Sequence, residues 1–214
     1  MGIGYIILAA ILAYLLGSIP TAILVSKGYF GIDIRDYGSG NAGATNTFRV
    51  LGKKYGILVM VVDVLKGFTA ANFPFLLGNF QYGTIILINL QLLFGLLAVI
   101  GHVFPVYVGF KGGKGVATLF GMILAIHFPA AMVCAGIFLL TLLATRYVSL
   151  SSILAAVALP VGIIFVFRNQ EPLLIGFGIV TALMVVLTHK KNIQRLVQGE
   201  ESKANLIKRR QPKK

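Results

Sequence analysis

The stretch GVATLFGMILAIHFPAAMVCAGIFLLTLLAT, residues 115–145, decides the fold. It contains no Asp, Glu, Lys or Arg. A single helix of this length would be about 46 Å long, whereas the hydrocarbon layer of a membrane is about 30 Å thick. His127, Phe128 and Pro129 lie near its middle, and proline breaks or kinks a helix. We therefore predict two short membrane spans that meet near Phe128, on the outer side of the membrane.

Five further apolar runs flank this stretch, and the composition assigns them to a membrane as well. Hydrophobic residues make up 57% of the chain, charged residues 12%, and the mean hydropathy is +0.90. Hydrocarbon rather than water must surround most of such a chain. The first run has no preceding Lys or Arg and is too long for a signal peptide, so we interpret it as a retained span. The runs are residues 3–25, 55–77, 83–101, 147–167 and 172–188.

The basic residues determine the predicted orientation. The net charge is +13, and the cations cluster in residues 27–54, at Lys111 and Lys114, and in residues 190–214. The positive-inside rule places all three clusters in the cytoplasm, so the charge indicates a membrane protein rather than one that binds nucleic acid. Six spans would leave the last cluster outside, and a seventh is required.

We therefore predict an all-α, polytopic integral membrane protein. It has seven transmembrane helices, with the N-terminus outside and the C-terminus in the cytoplasm. A single transmembrane domain, residues 1–198, precedes a solvated, basic cytoplasmic tail, residues 199–214.

The most informative polar segment is GSGNAGATNTFR, residues 38–49. Its glycines allow backbone conformations that expose N–H groups to a ligand. Arg49 can bind two phosphate oxygens at once through its planar guanidinium. Neutral donors accompany it: Ser39, Asn41, Thr45 and Asn46. A flexible linker would not require this combination of glycines, neutral hydrogen-bond donors and an arginine. We therefore interpret the segment as a phosphate-binding loop.

A second polar segment, GHVFPVYVGFKGGKGVAT, spans residues 101–118. It resembles a nucleotide P-loop only superficially, because Lys114 is followed by Gly115 instead of Ser or Thr. Amides at the start of the next helix favour an anion, and Lys114 adds a full positive charge beside them. Lys111 fits equally well as a positive-inside anchor.

The third segment, HKKNIQR, residues 189–195, begins where the last apolar run ends. On a continuous helix His189 and Asn192 share one face. Asp63 and Lys66 lie three residues apart inside the run 55–77, where an unpaired charge is costly. We expect those two to pair, in a structural role.

The scarcity of acidic residues narrows the chemistry. The chain has six carboxylates, and they are scattered along the sequence. A divalent-metal site needs several clustered carboxylates, so we expect no such site in this chain. None of the three histidines has an acidic residue at the His-x4-Asp spacing that many glycerolipid acyltransferases use.

Together with DVLKG, residues 63–67, and RYVS, residues 146–149, the three segments resemble the bacterial acyl-phosphate:glycerol-3-phosphate acyltransferase family across essentially the whole chain. The resemblance implies a seven-helix enzyme of the bacterial inner membrane with an active site that faces the cytoplasm. Such an enzyme transfers a fatty acyl group from acyl phosphate to glycerol 3-phosphate, giving lysophosphatidic acid for phospholipid synthesis. Its expected partners are these substrates and membrane lipids, with no nucleic acid, metal, nucleotide or obligatory protein partner.

Matched motif positions imply one site for two phosphates, with Ser39 and His189 as catalytic candidates. Arg49, Lys114, His189 and Asn192 would hold the acceptor phosphate. Ser39, Asn41 and the glycine amides would receive the acyl phosphate and the oxyanion that develops on its carbonyl. The complete set of predicted substrate-binding residues is Gly38, Gly40, Asn41, Thr45, Asn46, Arg49, His102, Lys111, Gly112, Gly113, Lys114, Ser152 and Asn192.

Several alternatives stay open at this point. The base that takes the acceptor proton is His189, His102 or the leaving phosphate itself. We predict direct transfer, since no Asp or His stands near Ser39 in sequence to support an acyl-enzyme. Two other functions also fit the composition: a transporter for a phosphorylated solute, and a non-catalytic scaffold that binds anionic lipids.

Overall fold

The structure is a computed structural model that describes residues 2–204, and all regular structure in that part of the chain is helical. Short 3₁₀ turns at Ile34–Asp36 and Val106–Val108 and a π-helical turn at Gly162–Val166 accompany the α-helices. The α-helices are α1 (Ile3–Ser18), α2 (Thr21–Phe30), α3 (Ala44–Val50), α4 (Lys53–Ala71), α5 (Pro74–Leu77), α6 (Ile85–Val103), α7 (Val116–Ile126), α8 (Phe128–Thr145), α9 (Val148–Val161), α10 (Pro172–Thr188) and α11 (Lys190–Val197).

The helices include the apolar spans that the composition predicts. Within residues 2–204, four stretches are long and apolar enough to cross a membrane: Lys53–Leu77, Ile85–Val108, Phe128–Thr145 and Val148–Val166. The number rises to six if two bent pairs, α1 with α2 and α10 with α11, each count as one span. Helix α7 is apolar but short, with 11 residues, which corresponds to about 17 Å. The predicted all-α architecture is confirmed.

The predicted break in residues 115–145 is present. Helix α7 ends at Ile126 and α8 begins at Phe128, with the His127 backbone in a non-helical conformation between them (φ −146°, ψ 78°). The His127 side chain caps α8, because its Nδ1 accepts a hydrogen bond from the Ala130 amide at 3.2 Å. Pro129 lies in the first turn of α8, where its missing N–H breaks no intrahelical bond.

The first apolar run, residues 3–25, which we predicted to be one retained span, is bent. Helix α1 ends at Ser18, α2 begins at Thr21, and the two axes differ by 42°. Pro20 lies at the break, because it has no N–H with which to continue the helical ladder. A broken helix leaves backbone carbonyls without partners. Lys66 Nζ donates to the Ile19 carbonyl at 3.1 Å and so satisfies one of them.

Glycines allow two helix pairs to pack with their backbones in contact. A Cβ atom at Gly17 would overlap the Ala98 carbonyl of α6, and one at Gly101 would overlap the Tyr14 carbonyl of α1. Likewise, Gly121 of α7 packs directly on the Val64 carbonyl of α4. Small residues at helix contacts are typical of membrane proteins, where close packing replaces the hydrophobic effect. These contacts fix α1, α4, α6 and α7 as the frame that carries the polar loops.

Candidate active site

The first polar segment is a loop that Asn46 holds together. Asn46 is buried, and its Nδ2 donates to the Ile34 and Tyr37 carbonyls at 3.1 and 2.9 Å. Its Oδ1 accepts a hydrogen bond from the Ser39 amide at 2.9 Å. Gly38 has a positive φ of 63°, and a Cβ there would overlap Asn46 Oδ1. The amide group of Asn46 is thus used inside the loop, and its contact with substrate stays a prediction.

The remaining predicted ligands of this loop lie toward its surface. Ser39, Thr45 and Arg49 are exposed, and Asn41 is half-buried. The Oδ1 atom of Asn41 is buried and has no hydrogen-bond partner within residues 2–204. The Gly40 amide already donates to the Tyr37 carbonyl at 3.1 Å. Side chains, rather than the Ser39 and Gly40 amides, are thus the groups this loop offers to a ligand.

The second segment folds back on the end of α6. The Gly112 amide donates to the Val103 carbonyl and the Gly113 amide to the His102 carbonyl, both at 3.1 Å. Both amides are therefore used within the protein, and the substrate contacts of Gly112 and Gly113 stay predictions. A Cβ at Gly113 would overlap the His102 ring and would lie 3.1 Å from the Ala42 carbonyl. Gly113 is therefore the point where the first two segments meet, and only a glycine fits there.

Two cations of the second segment differ in their surroundings. Lys111 is exposed, as an anchor at the membrane surface would be. Lys114 is partly buried, and its Nζ donates to Asn192 Oδ1. Burial lowers the pKa of Lys114 to about 8, with Glu201 opposing and Arg195 adding to the effect. The second and third segments therefore meet at Lys114.

His102 is buried against a charged group from another helix. Its Nδ1 lies 3.6 Å from Asp63 Oδ1, and Lys66 Nζ lies 2.9 Å from the same oxygen. Thr21 Oγ1 donates to that oxygen at 3.1 Å. The predicted pairing of Asp63 with Lys66 is confirmed. The contact with His102 was missed, because the acid comes from α4 and has no fixed spacing from the histidine in sequence.

The third segment begins at a bend, not on a continuous helix. Helix α10 ends at Thr188, α11 begins at Lys190, and their axes differ by 61°. His189 lies at the bend, is buried, and forms a 2.8 Å hydrogen bond between Nδ1 and the Val185 carbonyl. A carbonyl only accepts, so the proton is on Nδ1 and Nε2 of the neutral ring carries the lone pair. Burial and the charge of Lys114 lower the pKa of His189 to about 4.

A carboxylate that the sequence did not reveal completes the cluster. Glu201 is buried and accepts hydrogen bonds from Ser149 Oγ at 2.8 Å, Asn192 Nδ2 at 2.7 Å and Arg195 Nε at 2.7 Å. Burial opposes its charge, but these three bonds hold the pKa of the Glu201 carboxyl below its usual value. The start of the predicted solvated tail therefore packs against the site, while residues 205–214 lie outside the described part of the chain.

The serine that joins this cluster is Ser149, whereas the sequence pointed to Ser152. Ser152 Oγ donates to the Val148 carbonyl of its own helix at 2.9 Å. Ser149 lies one turn nearer the start of α9 and reaches the third segment through Glu201. Both serines belong to the RYVSLSS stretch, but helical position rather than residue type decides which one makes contact.

Comparisons with known proteins point to one family. A family profile described as glycerol-3-phosphate acyltransferase matches residues 7–199. A glycerol-3-phosphate acyltransferase of Chlorobium phaeobacteroides (strain DSM 266) is 44% identical over 225 residues, covering 92% of this chain and 96% of the relative. One of Staphylococcus carnosus is 41% identical over 199 residues, covering 92% and 97%.

Two solved structures are similar over almost the whole chain. Both are crystal structures of PlsY (YgiH), an integral membrane glycerol 3-phosphate acyltransferase, and both are 38% identical to this chain. The glycerol 3-phosphate form has a TM-score of 0.82 and covers 94% of this chain and 96% of that one. The lysophosphatidic acid form has a TM-score of 0.79, with coverages of 92% and 94%.

Proposed function

Because the chain belongs to the glycerol-3-phosphate acyltransferase family, we propose that its three polar segments bind glycerol 3-phosphate and an acyl phosphate side by side. The activity is transfer of a fatty acyl group to glycerol 3-phosphate, a reaction of phospholipid synthesis. We assign acyl phosphate as the donor, and lysophosphatidic acid and inorganic phosphate as the products. No cofactor or obligatory protein partner takes part in this scheme.

The proposed topology has seven spans in a bacterial inner membrane. The broken pair α1 and α2 forms the first span, and α7 and α8 form two separate ones. The N-terminus is outside, and the three polar segments share the cytoplasmic face, as the positive-inside rule requires of their cations. Residues 1–198 form the catalytic domain and residues 199–214 the cytoplasmic tail, whose first residues supply Glu201.

The acceptor phosphate binds between Lys114, Asn192 and Arg49 in this proposal, while neutral His189, whose Nδ1–H donates to the Val185 carbonyl, has no N–H left for it. Lys114 supplies charge close to neutral pH, and Asn192 lies in contact with it. Arg49 is exposed on α3 and can reach a phosphate with two N–H groups. A phosphate dianion bound here would replace the water that surrounds these cations and strengthen each interaction.

The donor phosphate binds on the first loop, through the Ser39 hydroxyl and the Asn41 and Thr45 side chains. The Ser39 hydroxyl is exposed and can donate to the oxyanion on the carbonyl carbon. Acyl phosphate is already activated, so correct positioning supplies most of the rate enhancement.

The acceptor hydroxyl attacks the acyl carbonyl carbon directly, and the bond between this carbon and the phosphate oxygen breaks. A base takes up the proton of the attacking hydroxyl. His189 is neutral at physiological pH, with the lone pair on Nε2, and can accept this proton; the departing phosphate is the alternative acceptor. Ser39 forms no acyl-enzyme in this scheme, because within residues 2–204 no hydrogen bond joins its hydroxyl to a histidine or a carboxylate.

One observation carries the proposal: three segments that are far apart in sequence converge. Gly113 joins the first segment to the second, and Lys114 joins the second to the third. The test uses purified protein in detergent with labelled glycerol 3-phosphate and palmitoyl phosphate, with palmitoyl-CoA as the matched control donor. We expect lysophosphatidic acid to form from palmitoyl phosphate and not from palmitoyl-CoA. Addition of a chelator should not change this result.

Three results would contradict parts of the proposal. Product from palmitoyl-CoA alone would overturn the donor. Labelled acyl group on Ser39 after rapid quenching would overturn direct transfer. Solute flux through sealed vesicles without product would favour a transporter.

A further inference from the structure

Glu201 is a buried carboxylate that contacts the third polar segment from outside it. Its side chain is 5% exposed, although the neighbouring Glu200 is exposed to solvent. Three donors surround it, one from α9 and two from α11. A carboxylate buried in this way is stable only with such partners, so its position is closely defined.

The contact with Asn192 has a consequence for Lys114. An asparagine amide can turn by 180°, which exchanges its donor and acceptor ends. A carboxylate only accepts, so the bond to Glu201 fixes the Nδ2 end of Asn192 toward the tail. The Oδ1 end must then face Lys114, and it accepts from Lys114 Nζ. Without Glu201, either end of the amide can face the lysine, and the Nδ2 end repels it.

We infer that Glu201 is a positioning residue for the acceptor site: it orients the Asn192 amide, which in turn holds the Lys114 ammonium where the phosphate of glycerol 3-phosphate binds. This inference rests on the proposed function, because it takes Lys114 and Asn192 as ligands of that phosphate. Arg195 is already paired with Glu201 at 2.7 Å and serves to fix the carboxylate. Ser149 does the same from α9.

The test measures binding of glycerol 3-phosphate to the purified full chain in detergent by calorimetry, without an acyl donor. We expect E201A to raise the Kd by about tenfold or more, as expected when a buried hydrogen bond to a charged group is lost. E201Q keeps the volume and one accepting oxygen, and we expect a smaller rise. E200A removes the same charge from the exposed neighbour and is the matched control, with an unchanged Kd.

A double variant separates positioning from general damage. If Glu201 acts through Asn192, E201A/N192A binds no more weakly than N192A alone. In the acylation assay the KM for glycerol 3-phosphate rises with Kd, while kcat changes by less than about twofold. A variant that is only partly folded would instead lose kcat at unchanged KM. Thermal unfolding identifies an E201A protein that is only partly folded. In that event the Kd and KM of E201Q are used to test the inference.

Three outcomes overturn the inference: a folded E201A with unchanged Kd, additive losses in the double variant, or tighter binding in E201A. Tighter binding would mean that the carboxylate competes with phosphate. Failure of the proposed function gives a different result, in which K114A and N192A themselves bind glycerol 3-phosphate as well as the unaltered chain.

Discussion

Asp63 and Glu201 are both buried carboxylates with three partners each, but they lie in different surroundings. Asp63 is in the middle of α4, with Thr21, Lys66 and His102 around it, all of them buried in the helical frame. Glu201 follows α11 and contacts Ser149, Asn192 and Arg195, beside the partly buried Lys114. The partners of Asp63 join helices to each other. Among the partners of Glu201, Asn192 connects the carboxylate to Lys114 in the second polar segment.

We infer from this difference that Asp63 contributes mainly to the stability of the fold and Glu201 mainly to substrate binding. The partners of Asp63 satisfy charges inside apolar spans, and Lys66 also satisfies the carbonyl freed by the break after α1. Two partners of Glu201, Asn192 and Arg195, are closer to water and can be lost with less damage to the fold. We therefore expect changes at Asp63 to act mainly on unfolding, and changes near Glu201 to act mainly on glycerol 3-phosphate binding.

The largest expected effect is the loss of Asp63. D63L leaves Lys66 as an uncompensated charge in an apolar span, and we predict a loss of about 3–5 kcal/mol in the free energy of unfolding. Thermal and denaturant unfolding in detergent measure it. The double variant D63L/K66M removes both charges and should recover much of the loss. Equal destabilisation of the single and double variants would show that the pair is not the cause.

The next largest effect concerns Lys114 and pH. We predict that K114A lowers kcat/KM for glycerol 3-phosphate by about 100-fold, the cost of one charge-stabilising group. The pKa of Lys114 is lowered to about 8, so the ammonium is charged below that pH and neutral above it. For the unaltered chain, kcat/KM should therefore fall as pH rises through about 8.

The control for this prediction keeps a charge at the same position. K114R carries a guanidinium, which does not titrate in this range, and its residual activity should show no decline near pH 8. K190A, at an exposed cation of α11, should retain the activity and pH profile of the unaltered chain. An identical decline in K114R would assign the titration to a different group.

A smaller effect is expected at Gly113, which connects the His102 end of the Asp63 network to the first loop. G113A places a methyl group against the His102 ring, and we predict a loss of about 1–3 kcal/mol in unfolding free energy, with reduced activity. G136A is the control, because a Cβ at Gly136 meets no atom within 4 Å. Normal activity in G113A would show that the contact between the first and second polar segments tolerates an added methyl group.

Sequence reasoning succeeded where the cause was local. Pro129 sits beside the helix break, and Asp63 and Lys66 lie three residues apart on one helix, so both features follow from short-range geometry. The contacts of Glu201 with Ser149 and of His102 with Asp63 join residues 52 and 39 positions apart, since 102 − 63 = 39. Only the packed helices bring such residues together.

The internal role of Asn46 was also beyond local patterns. A polar residue in a glycine-rich loop has the same appearance whether it faces a ligand or its own backbone. The distinction depends on how the loop closes, and here Gly38 turns the chain so that Ile34 and Tyr37 present carbonyls to the amide. The composition of the loop predicts the kind of site, and its closure decides which side chains remain for substrate.

The smallest predicted effect gives the most direct comparison of the two carboxylates. Thr21 donates one hydroxyl hydrogen bond to Asp63 at 3.1 Å, and Ser149 donates one to Glu201 at 2.8 Å. T21V and S149A each remove one such bond, worth about 1 kcal/mol. We predict that T21V loses this amount in unfolding free energy with an unchanged KM. S149A should instead raise the KM for glycerol 3-phosphate by about threefold to fivefold, since 1.4 kcal/mol corresponds to about tenfold, with little change in unfolding. If both variants changed the same quantity, the two carboxylates would have equivalent roles, because the bonds removed are otherwise matched.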